Sequence, residues 1–100
     1  MEWQKTKNGL KTTSKDPMGL IEKISEVFTQ KLNGKKLGPD VVNSALPELG
    51  FIRSFEFQGY KVMISQESYP DEPIEIIFDR SNNTELFQLI KNSVSKIESI

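Results

Sequence analysis

Two stretches with the strict alternation of a half-buried β-strand, separated by a turn, constrain this chain more than any other feature. Ser54-Phe55-Glu56-Phe57-Gln58 and Lys61-Val62-Met63-Ile64-Ser65 flank Gly59-Tyr60. Successive side chains of a strand point to opposite faces, so the alternation sorts each stretch into an apolar and a polar side. A two-residue turn at Gly59-Tyr60 sets Phe57 opposite Val62 and Phe55 opposite Ile64 on one face, with Glu56 opposite Met63 on the other. Glycine in the first turn position predicts a type II′ hairpin. After the turn-rich Tyr69-Pro70-Asp71-Glu72-Pro73, the run Ile74-Glu75-Ile76-Ile77-Phe78-Asp79 predicts a third strand that adds Ile74, Ile76 and Phe78 to the apolar face.

An apolar sheet face needs cover, and two helical patterns supply it. Asp16-Pro17 is a helix start, because the carboxylate accepts from orphan amides and proline tolerates the first helical position. Leu20, Ile21, Ile24, Val27, Phe28 and Leu32 follow as one stripe of a 3.6-residue period, and Asn33-Gly34 is a left-handed stop. A weaker helix is expected over 39–46, with Val41, Val42, Ala45 and Leu46 on its apolar side before Pro47. The last helix enters through Ser81-Asn82-Asn83, where Asn82 and Glu85 have capping-box spacing. Its stripe is Leu86, Phe87, Ile90, Val94 and Ile97.

The order α-α-β-β-β-α predicts an α+β two-layer sandwich, a three-stranded antiparallel meander packed on helices. Its expected core joins Phe55, Phe57, Val62 and Ile64 to Leu20, Ile24, Phe28, Phe87, Ile90 and Val94. One hundred residues suffice for one such domain. It is expected over 16–100, preceded by a flexible basic arm at 1–15 carrying Lys5, Lys7, Lys11 and Lys15. Through Asp16 this segment is at +2, so the other 84 residues carry −3 of the chain's net −1. With no apolar run for a signal peptide or membrane span, the expected location is cytoplasmic.

Histidine and cysteine are both absent. That removes imidazole bases, thiolate nucleophiles, disulfides and Cys/His zinc sites. Neither phosphate-cradling glycine motif occurs. Asp71, Glu72, Glu75 and Asp79 are oxygen donors, and Pro70-Asp71 opens a PD-(D/E)xK pattern that no acidic-x-Lys completes, so no metal site is expected. Arg53, Tyr60, Lys61 and Arg80 are the groups a metal-independent ribonuclease would need, but the acidic folded part disfavours a polyanion groove. The lysine arm, with Lys31, Lys35, Lys36 and Trp3 as a stacking residue, supports nucleic-acid binding as the alternative function.

The polar side of the sheet carries the leading expectation. There Met63 and Ile77 sit among Glu56, Glu75 and Asp79, an apolar centre with an acidic rim suited to a basic protein partner. The chain therefore reads as a non-catalytic, cofactor-free interaction module (an adaptor, inhibitor or immunity-type partner). Such a module binds a protein or a second copy of itself through that face or the sheet edges, and no membrane.

Overall fold

The computed structural model describes residues 1–42, 50–66, 73–78 and 83–98. Its elements are β1 (Gln4–Lys5), β2 (Gly9–Thr12), α1 (Pro17–Glu26), β3 (Lys35–Lys36), β4 (Val41–Val42), β5 (Phe51–Phe57), β6 (Tyr60–Gln66), β7 (Ile74–Phe78) and α2 (Thr84–Ser95). The strands make one seven-stranded sheet in the order β1-β2-β7-β6-β5-β3, with β4 beside β3 on the outer edge of β5. All of the described pairings are antiparallel.

This architecture corrects the expected α-α-β-β-β-α sandwich on a three-stranded sheet: the sheet has seven strands, and two helices are described. Two of the added strands, β1 and β2, come from the stretch expected as a basic arm. They form a hairpin that pairs with β7, setting Leu10 opposite Ile76. Leu10 is completely buried there, while the Trp3 indole donates to the Val94 carbonyl (3.3 Å) and the terminal amine to that of Ser95 (3.2 Å). The first half of the expected 39–46 helix is also corrected, because Val41–Val42 is a strand; residues 43–49 lie outside the described ones. β-Branched Val-Val suits a strand, and Asp40 spends its carboxylate on Arg53 instead of capping a helix.

The β5–β6 hairpin turns at Gln58-Gly59, one residue earlier than expected. Phe57 therefore faces Tyr60, Phe55 faces Val62 and Arg53 faces Ile64. Positive φ at both central residues, 50° at Gln58 and 87° at Gly59, fits a type I′ turn and not type II′. The resulting slip of two residues leaves every side chain on its assigned face, since the strand period is two.

α1 starts where Pro17 follows the Asp16 cap, whose Oδ1 accepts from the Gly19 amide at 3.1 Å. It runs into a π-helical turn at Val27–Lys31 and stops at left-handed Asn33. α2 is capped by Asn83, which accepts from the Leu86 amide at 3.0 Å; the cap expected at Asn82 lies outside the described residues. Both helices cover one sheet face, closing a core of Leu20, Ile24, Phe28, Phe55, Phe57, Val62, Ile64, Ile76, Ile90 and Val94 with others. Phe28 meets Phe55 and Phe57 edge-on, each at 5.2 Å between ring centres, a favoured aromatic geometry. Phe87 is half-buried at its margin.

Candidate functional site: the helix-free face of the sheet

With both described helices on one side, the pairing register decides what the other side, helix-free among the described residues, presents. Three cross-strand rows follow from it. The first runs Val41, Ile52, Ser65, Glu75, Lys11 and Gln4 across β4, β5, β6, β7, β2 and β1. The second is Ser54, Met63, Ile77 and Gly9. The third is Lys35, Glu56 and Lys61.

Met63 and Ile77 are direct cross-strand partners, so the two residues expected at the centre are neighbours. Ile52, diagonal to Met63, and Val41, opposite Ile52, extend them into an apolar stripe crossing four strands. None of the four belongs to the core cluster: Val41 is 62% exposed, Ile52, Met63 and Ile77 are half-buried, and Ser65, the cross-strand partner of Ile52, is buried. At the far end, the partner of Ile77 is Gly9, which adds no side chain to the face. Gly9 is required there, since a Cβ would collide with the Ile76 carbonyl oxygen.

The rim differs from the acidic one expected. Glu56 is flanked by Lys35 and Lys61, and Glu75 faces Lys11, so both signs of charge surround the stripe. The expected preference for a basic partner therefore loses its basis among the described residues. Asp79 lies outside them. Ile52 and Lys61 were legible from the alternation already used for Met63. Lys11, Lys35 and Val41 were not, because their strands are two to four residues long and join the sheet through distant partners.

The catalytic candidates do not converge. Arg53 lies on the core side, 9% exposed, and its guanidinium is occupied. Nε and Nη2 donate to the two Asp40 oxygens, both at 2.8 Å, while Nη1 donates to Glu22 Oε1 (2.9 Å) and Ser25 Oγ (3.0 Å). The hydrogen bonds from Arg53 hold the Asp40 carboxyl below the usual aspartate range against a desolvation that opposes them. Those bonds in turn push the guanidinium further toward its charged form. Such a bidentate, paired arginine is a brace joining α1, the segment before β4, and β5. Lys61 is on the opposite sheet face, half-buried Tyr60 pairs with Phe57, and Arg80 lies outside the described residues.

The remaining candidates fare similarly. Of the four oxygen donors only Glu75 is described, and no group of three metal-capable side chains occurs among the described residues. A groove of about 800 Å³ over the N-terminal hairpin has, among the described residues, Glu2, Lys11 and Lys15 as its titratable side chains, none of them buried. The lysines of that hairpin do not form one patch: Lys11 is on the helix-free face, while Lys5 lies 5.5 Å from the Phe87 ring on the other. Trp3, the stacking residue of the nucleic-acid alternative, packs against the core. No described helix is long and apolar enough to cross a membrane.

Comparison with known proteins found no matching family model, no matching curated protein and no matching solved structure.

Proposed function

We propose that this chain is a non-catalytic interaction module that docks a folded protein on its helix-free sheet face. The observation carrying this reading is the apolar stripe Val41–Ile52–Met63–Ile77, outside the core and bordered by charges of both signs. The partner that fits is a flat protein surface with apolar side chains at its centre and acidic and basic groups around them. A polyanion is a poor match, since Glu56 and Glu75 stand among the lysines. Scattered apolar residues are ordinary on a surface, but a contiguous line with a charged border is the anatomy of an interface.

The absence of histidine and cysteine and the commitment of Arg53 to Asp40 and Glu22 support the non-catalytic part. The experiment is capture from source-cell extract on immobilised protein, comparing wild type with Ile77→Lys and Leu89→Lys. Leu89 is 48% exposed on α2, so it controls for any loss of surface hydrophobicity. A protein retained by wild type and Leu89→Lys but lost with Ile77→Lys supports the reading. Equal retention by all three opposes it.

A further inference from the structure

Resting on that docking reading, we infer that the protein seated on the helix-free face is a second copy of this chain, related by a two-fold axis across the apolar stripe. The stripe is self-complementary. Strands lie about 4.8 Å apart, and same-face rows are roughly 6.7 Å apart, two residues of strand rise. On that grid Val41, Ile52, Met63 and Ile77 form a diagonal whose midpoint falls between Ile52 and Met63.

A two-fold axis through this midpoint, in the plane between the sheets and perpendicular to the diagonal, lays the stripe antiparallel on its own copy. Val41 then stacks on Ile77 of the second copy, and Ile52 on Met63 of the second copy. The same operation carries Glu56 to within roughly 2 Å, in projection, of Lys35 of the second copy, and the reciprocal contact follows from the symmetry. Apolar and charged patterns are thus matched by one axis, with no freedom left to fit them separately. Four strands by three rows is a footprint of roughly 400 Å² per copy, which puts the pair among small, reversible interfaces.

The test is sedimentation equilibrium from micromolar to near-millimolar concentration, on wild type, Glu56→Lys, Lys35→Glu, and an equimolar mixture of the two variants. Wild type is expected to dimerise reversibly. Each variant opposes like charges twice across the axis and should raise the dissociation constant roughly tenfold or more. In the mixture, the lysine introduced in one chain meets the glutamate introduced in the other at one contact. The second contact keeps the native pairing of Glu56 with Lys35, and dimers are restored. Within each variant chain the Lys35–Glu56 cross-strand pair stays broken, so rescue on mixing reports an intermolecular contact. Circular dichroism checks folding, and Glu56→Gln with Lys35→Gln serve if a charge reversal does not fold, each then weakening the dimer and their mixture recovering it in part through the one native Glu56–Lys35 contact that the mixed dimer keeps. A monomeric wild type, undiminished dimers in the single variants, or a charge-reversal mixture that stays monomeric overturns the inference. The docking reading fails separately, if capture of a partner is indifferent to Ile77→Lys.

Discussion

Asp40→Ala is expected to destabilise the protein far more than an ordinary loop substitution. The Arg53 side chain is 11% exposed and that of Asp40 26%, so their two 2.8 Å bonds are made largely away from water. Breaking a fully buried ion pair costs about 3–5 kcal/mol, mostly because the surviving charge is left uncompensated. Here Glu22 and Ser25 remain on Nη1 and offset part of that penalty, so the expected loss is about 2–3 kcal/mol. Glu22 is 60% exposed, and Glu22→Ala should cost less than about 1 kcal/mol.

The pH dependence has a definite sign. A carboxylate whose native pKa is lowered stabilises the fold above its unfolded value, near 3.9, and that contribution is lost as pH falls through the native value. The gap between wild type and Asp40→Asn should therefore be full at neutral pH and close on acidification below about 4. Urea melts followed by fluorescence of the single tryptophan, Trp3, give both comparisons, because that indole packs against the core. A loss under about 1 kcal/mol for Asp40→Ala, or equal losses for Glu22→Ala, would refute the brace.

Gln58→Asn places Asn-Gly in the type I′ turn and should raise stability by about 0.5–1 kcal/mol, or a few degrees of melting temperature. Were the turn at Gly59-Tyr60, the same change would fall in a strand and lower it. Leu10→Ala should cost about 2–5 kcal/mol in urea melts, since Leu10 is fully buried opposite Ile76; a negligible loss would mean the N-terminal hairpin does not join the sheet. Gly34→Ala should cost about 1–3 kcal/mol, because the new methyl would lie 2.6 Å from the Phe57 ring and 2.9 Å from the Phe28 carbonyl oxygen; calorimetry showing an unchanged melting point would place the end of α1 elsewhere.

What could be read from the chain, and what could not, divides along sequence separation. Period-two alternation assigned Phe55, Phe57, Val62, Ile64, Ile74, Ile76 and Phe78 to one face, and all seven are buried. It survived the wrong turn because a slip of two residues preserves faces. Four of the strands carried no such signal. Gln4–Lys5 and Lys35–Lys36 are polar dipeptides with no periodicity to detect, and their place in the sheet depends on β2 and β5. Arg53 has the same parity as Phe55 and Phe57, so its core-side position was legible, but Asp40 and Glu22 lie 13 and 31 residues away and only the fold brings them to it. At the candidate site, Met63 and Ile77 were found for the same reason as the core. Of the lysines that change its electrostatic character, Lys61 was legible from β6, whereas Lys11 and Lys35 were missed because they arrive from β2 and β3.

Neighbouring residues of β7 separate the sheet face closed by helices from the face proposed to meet a partner. Ile76 is fully buried toward the helices, while Ile77 belongs to the helix-free stripe. Urea denaturation of Ile76→Lys and Ile77→Lys, run side by side at a concentration low enough to keep any dimer apart, reads both faces at once. Ile76→Lys is expected to be unfolded or to lose more than about 4 kcal/mol, the consequence of forcing a charge into the core. Ile77→Lys should lose about 1 kcal/mol or less. Equal and severe losses in both variants would mean that the second face is covered as well, and the docking surface would not exist.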